Sequence, residues 1–354
     1  MDTILIRKKD VQRNAALRKN QKAASGGGLF HHPKDRDGIA PFVSLADETL
    51  LDLAEKADPV SNATLSSCGT DDAAKRCPFL PKVLSFPEED RVLVLSVLEK
   101  DPARLEESWL FQHREDAWRA GLKALQEILH PKKTLLILPE NLSLLAAPDS
   151  SLTVIRAKRL YRPDTLNQIL SEDLHLSLSP KDNPAFSGIL VCSMQDLVLL
   201  AEGSPDVRYL TAADLVTGKA RIVRAAIGTS LSSVLTRALP PEPNTLLFAG
   251  RGALRGHRIR ELEVLTGDTA LFLAKPVSFS RTFVCIGCGD CIEVCPAKLP
   301  IISIMKLREF RQIPPGKPEM LCLYCGLCAF VCRTGINTEG YVASLAEGEK
   351  KDNT

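Results

Sequence analysis

Eight cysteines confined to residues 285–332 constrain this chain of 354 residues more than any other feature. Cys285, Cys288, Cys291 and Cys295 are followed by Cys322, Cys325, Cys328 and Cys332 at the same spacings. Each half reads C-x2-C-x2-C-x3-C, and the first ends on Pro296. In such a run three closely spaced thiolates wrap one face of an iron–sulfur cubane, and the fourth is carried by the next turn to a second cubane. The spacing therefore predicts two [4Fe-4S] clusters. One would be held by Cys285, Cys288, Cys291 and Cys332, the other by Cys322, Cys325, Cys328 and Cys295. Structural zinc needs only four ligands per ion and leaves the third cysteine of each run without a purpose. Disulfides fit worse, because the opening MDTILIRKKD has no apolar signal core and an oxidising compartment is not indicated.

The residues between the cysteines suit the same chemistry. Gly287, Gly289 and Gly326 allow tight backbone folding around a cluster. Ile292, Val294, Leu327, Phe330 and Val331 are expected to form an apolar shell that keeps water away. The remaining cysteines, Cys68, Cys77 and Cys192, are read as small buried hydrophobes.

The chain is too long for one domain of roughly 100–200 residues, so two or three cores are expected. Basic and acidic residues nearly balance at 45 and 43, which gives no global field for nucleic acid. No run reaches the roughly 18 apolar residues of a membrane span. The expectation is a cytoplasmic protein, soluble or peripheral on the inner face of the cell membrane.

In chain order, Arg7 to Lys22 is basic and reads as a solvated terminus, and His31-His32 as turn residues. Phe42 to Ala57 suggests a strand leading into a helix, and Ser61 to Pro81 a loop. Strand and helix then alternate: RVLVLSVL from Arg91, a helix from Arg114 to Leu129, strands at Thr134–Leu138 and Leu152–Ala157, a helix at Pro163–Leu170, a strand at Gly188–Cys192 and a helix at Gln195–Ala201. Such alternation implies crossover connections and a parallel sheet covered by helices, with ligands gathering at strand carboxyl ends, here Pro139-Glu140-Asn141 and Ser193-Met194-Gln195. No phosphate-binding glycine fingerprint accompanies them. A smaller α+β unit follows, with strands at Ala220–Ala226, Thr245–Ala249, Leu262–Leu265 and Ala270–Leu273, and a helix from Ser230 to Ala238 capped by Thr229. Leu299 to Phe310 reads as a helix between the two cysteine runs.

These pieces, in this order, resemble the C subunit of the Rnf ion-translocating electron transport complex. CIGCGDCIEVCP followed by CLYCGLCAFVC carries the likeness most specifically; TLLILPEN, Tyr161-Arg162-Pro163, GILVCSMQDLVLLAEG and LLFAGRGALRG carry it more softly. The resemblance implies an α/β (Rossmann-like) parallel sheet with helices, a small α+β β-grasp domain and a two-cluster bacterial ferredoxin-like module. The corresponding segments are a basic N-terminal stretch at 1–41, the α/β domain at 42–215, the β-grasp domain at 216–275, the cluster module at 276–345 and a charged tail at 346–354. It also implies FMN and NADH binding, with partners among the subunits of a membrane-embedded complex and a redox protein as donor or acceptor. Two departures stand against part of this. Where the family has a glycine-rich flavin loop, this chain runs from Gly69 through Asp71-Asp72 to Lys82, which adds Cβ atoms and negative charge where a phosphate would sit and counts against FMN. Arg333 stands where the family has proline after the last cysteine. A cobalamin-reductase subunit of a bacterial microcompartment shares the domain series, and a docking subunit with structural clusters is the alternative from another class.

Overall fold

The computed structural model describes residues 3–4, 44–45, 50–54, 70–143, 152–157, 165–204, 206–241, 243–250, 256–259, 263–267, 269–274, 285–309, 321–334 and 336. The expectations for Arg7–Lys22, His31-His32, Cys68, Tyr161-Arg162-Pro163 and the tail at 346–354 lie outside these residues. Three two-residue strands come first: β1 (Thr3–Ile4), β2 (Ser44–Leu45) and β3 (Leu51–Asp52). Two short helices follow, α1 (Thr70–Arg76) and α2 (Leu80–Leu84). The loop expected at Ser61–Pro81 is thus helical over its second half among the described residues. Pro81 misleads there, because proline fits a first helical turn, where its missing N–H costs nothing, while Pro78 stands in the turn between the two helices.

Next come β4 (Val92–Ser96), α3 (Glu106–His113), α4 (Glu115–Leu129), β5 (Lys133–Pro139), β6 (Leu152–Ala157), α5 (Thr165–Leu174), β7 (Ile189–Ser193) and α6 (Met194–Glu202). The four strands are parallel in the order β6-β5-β4-β7. The chain winds outward from β4 to β6 and then returns to lay β7 on the other side of β4, so the winding direction reverses between β4 and β7. Leu93, Val94, Leu95, Leu135, Leu136 and Ile137 are all fully buried, which is why these strands read as unbroken apolar runs: helices cover both faces. The expected face of α4, Trp118, Leu122, Leu125 and Leu129, is buried. Gly121 on that helix faces α6 so closely that a Cβ would overlap the Leu197 carbonyl. Gly121→Ala is therefore expected to push the two helices apart and cost about 2–3 kcal/mol, read as a lowered urea midpoint.

The second sheet contains β8 (Val207–Asp214), β9 (Lys219–Ala226), β10 (Leu246–Gly250), β11 (Gly256–Arg258) and β12 (Ala270–Ala274), with α7 (Leu231–Ala238) after β9. Its order is β1-β11-β10-β12-β8-β9-β2, with β3 also paired to β9. β8 and β9 form an antiparallel hairpin across the expected 215/216 boundary, and β12 returns to pair in parallel with β8. Leu51–Asp52 pair in parallel with β9, so the expected strand-to-helix passage begins as two short edge strands. Ser230, not Thr229, caps α7, accepting from the Ser233 amide. The strand expected at Leu262–Leu265 is reduced, among described residues, to one bridge between Val264 and Ser230.

β8 alternates between two cores. Leu210 and Ala212 lie with Val223, Val234, Leu235 and Leu271 under α7. Tyr209 and Ala213 share the core of the parallel sheet and of α3, α4 and α6. Polar contacts tie the layers as well: the Leu105 amide donates to Thr211 Oγ1 at 2.9 Å, and the Tyr209 amide to Gln195 Oε1 at 2.7 Å.

Among the described residues three helices remain: α8 (Asp290–Val294), α9 (Ile301–Glu309) and α10 (Leu327–Val331). α9 starts at Ile301, two residues after the expected Leu299, with Pro300 immediately before it. Among the described residues no helix is long and apolar enough to cross a membrane.

Candidate metal centre

The repeated spacing folds as a repeated backbone. The segment after Cys285 turns through Gly287 at φ 69° and Gly289 at φ 79°, and the segment after Cys322 turns through Tyr324 at φ 51° and Gly326 at φ 75°. Gly289 and Gly326 are the residues before α8 and α10. A Cβ on Gly287 or Gly289 would meet nothing within 4 Å, so these glycines supply the left-handed backbone rather than room. Among the described residues, backbone amides donate to cysteine sulfur in matched pairs. Gly287 N lies 3.4 Å from Cys285 Sγ and Tyr324 N 3.3 Å from Cys322 Sγ. Leu299 N lies 3.4 Å from Cys295 Sγ and Ile336 N 3.3 Å from Cys332 Sγ. Each pair occupies the same place in its own half.

Burial pushes Cys291 above the usual thiol range, and the charges of Cys288, Cys332 and Cys285 push it further. Cys291, Cys295, Cys322, Cys325 and Cys328 line one cavity, with Pro296, Leu299 and Leu323 among its apolar walls. Leu327, Phe330 and Val331 are buried, and Val294 packs against them, as expected of an apolar cover. Ile292 does not join: it points outward at 37% exposure, because α8 is a single short turn that turns this position to solvent. Among the described residues no three His, Cys, Asp or Glu side chains are placed to hold a single ion. The donor set suits sulfur-bridged cages: eight thiols at repeated spacings, with N–H donors to sulfur and an apolar lining.

The α/β sheet offers the other place where a cofactor could bind, at the carboxyl ends of β4 and β7 where the winding reverses. The chain fills that place itself. Glu107 Oε2 accepts from the amides of Met194 at 2.7 Å and Gln195 at 3.3 Å, the first residues of α6. Ser193 and Asp196 complete a capping box on the same helix. Glu99, Glu106 and Glu107 are all buried around this point, with Arg104 paired to Glu106. Burial, reinforced by the charge of Glu106, holds the Glu99 carboxyl up at about 7, and burial pushes Glu107 well above the carboxylate range. A flavin phosphate would meet carboxyl groups where it needs free amides, and the stretch that replaces the glycine-rich loop is coiled into α1. At this crevice the residues present do not suit a flavin phosphate.

Sequence reading missed α3 and its carboxylates, and it missed that Cys77 and Cys192, both buried, meet at 3.4 Å between sulfurs. No local signal joins two cysteines so far apart in the chain. Glu99 makes a pH prediction. Folded, it keeps its proton to about pH 7; unfolded, it loses it near 4.5. Between those values the unfolded chain binds fewer protons, so stability falls as pH rises through the window, by on the order of 3 kcal/mol from this group. Urea titrations at pH 5 and pH 8 are expected to differ less in Glu99→Gln, which retains an acceptor for the Ser108 amide.

Among known proteins, the C subunit of the ion-translocating oxidoreductase complex from two strains of Vibrio cholerae serotype O1 is 25% identical over 279 residues, covering 73% of this chain and 34% of the relative. The chain thus spans about a third of the length of the curated relatives it matches. Among solved structures, an NAD+-reducing [NiFe]-hydrogenase in the air-oxidised state overlays with TM-score 0.46 and 11% identity, covering 81% of this chain and 53% of the other. The H2-reduced state of such a hydrogenase gives 0.45 and 12%, covering 66% and 48%. Residues 283–339, which include all eight clustered cysteines, match the family described as the 4Fe-4S dicluster domain.

Proposed function

We propose that this chain is an electron-transfer subunit of an Rnf-like membrane-associated complex, passing single electrons between a redox partner and other subunits, with no flavin of its own. The observation that carries the reading is the repeated cysteine spacing folded as a repeated backbone, within residues that match the 4Fe-4S dicluster domain. When bound, two [4Fe-4S] clusters supply the one-electron chemistry. The chain's own residues supply thiolates, the N–H donors to sulfur, and the apolar cover of Leu327, Phe330 and Val331. The strand order β9-β8-β12-β10-β11, with α7 across one face, supports reading the second sheet as a β-grasp domain suited to partner recognition. Glu107 in the crevice of the parallel sheet supports the reading of that layer as a scaffold.

Anaerobic titration with dithionite tests this. The expected result is reversible uptake of about two electrons per chain, with no flavin released on acid denaturation. Bound, redox-inert clusters would favour a docking subunit, and stoichiometric flavin would restore a dehydrogenase.

A further inference from the structure

The two halves of the cysteine module match position by position, and they differ in charge at three places: Asp290 against Leu327, Glu293 against Phe330 and Pro296 against Arg333. In the first half the residue that opens α8, next to Cys291, is Asp290; its counterpart opening α10 is Leu327. The residue after the fourth cysteine is Pro296 in the first half and Arg333 in the second. Asp290 and Arg333 meet across the halves: Arg333 Nε donates to Asp290 Oδ2 at 2.9 Å. The Asp290 side chain is only 4% exposed, and that of Arg333 is 44% exposed. Leu327 and Pro296, at the equivalent places, carry no charge.

We infer that the Asp290–Arg333 pair sets the potential of the cluster held by Cys285, Cys288, Cys291 and Cys332, and separates it from that of the other cluster. This rests on the two-cluster reading above. Both partners adjoin ligands of the same set, Cys291 and Cys332, so their charges act on one cluster more than on the other. Reduction adds a negative charge to a cluster, and net charge nearby is one of the terms that fix its potential. The effect of Asp290 is the less screened of the two, because it is buried while Arg333 is half in water.

Removing either partner therefore has opposite results. Arg333→Met leaves a buried carboxylate beside the cluster and lowers one midpoint; Asp290→Leu leaves the guanidinium and raises it. Arg333→Lys keeps the charge and stays near the wild type. The double change Asp290→Leu with Arg333→Pro copies the other half at these two places and brings the two midpoints closer together. Potentiometric titration followed by low-temperature paramagnetic resonance reads all four, with iron counted in each sample. Shifts of opposite sign in the two single variants support the inference. At full iron content, unchanged midpoints, or shifts of the same sign, overturn it, since a merely structural pair would not respond to the sign of the charge. A wild-type protein with fewer than about eight irons defeats the two-cluster reading itself, a separate outcome.

Discussion

Replacing Cys332 by alanine is expected to remove the cluster that the first cysteine run holds, although Cys332 belongs to the second run. Iron should fall from about eight to about four per chain, because two [4Fe-4S] clusters become one. The crossing is visible in which variants resemble each other. Cys288→Ala should leave the same paramagnetic spectrum as Cys332→Ala, and Cys325→Ala the same as Cys295→Ala. If each run kept its own fourth cysteine, Cys332→Ala would resemble Cys325→Ala instead. The expectation follows from the crossed assignment proposed above, in which the fourth cysteine of each run serves the other cluster.

Arg104→Met is expected to destabilise the α/β layer by about 3–5 kcal/mol, the usual penalty for stranding one member of a buried ion pair. Both side chains are almost wholly buried, and Glu106 also accepts from Thr211 on β8. Without the guanidinium, the charge of Glu106 stands uncompensated beside Glu99, one of whose oxygens has no partner among the described residues. Arg104→Met with Glu106→Gln should recover most of the loss, because the stranded charge is gone and an acceptor for the Thr211 hydroxyl remains. Urea unfolding at pH 7 measures both. A loss under about 1 kcal/mol in the single variant, small against the range for such pairs, would mean that the pair is more solvated than its burial implies.

What could be read from the letters alone follows from how each element is buried. RVLVLSVL and TLLILPEN announce central strands because both faces of a parallel sheet are covered, and α4 announces itself because one face only is buried. β8 (VRYLTAAD) escaped because six of its residues in a row, Tyr209 to Asp214, are buried between two cores, so no alternation of polarity marks it. α3 (EESWLFQH) escaped for a related reason: Glu106 and Glu107 look like solvent-facing letters and are buried. Their partners, Arg104 and the amides of α6, come together only in three dimensions. In the cysteine module the spacing was legible because ligand chemistry fixes it directly. Tyr324 was not, since its left-handed φ of 51° occupies a position where glycine would be expected, and only its match to Gly287 explains it. The Asp290–Arg333 pair likewise required the two halves to be laid against each other.

The most direct test of two crossed iron–sulfur cages is a count of iron and acid-labile sulfide in anaerobically prepared protein, with paramagnetic resonance after reduction. The account predicts about eight of each per chain and two reduced-cluster signals that interact. Stoichiometric zinc, or iron with scarcely any sulfide, would contradict it.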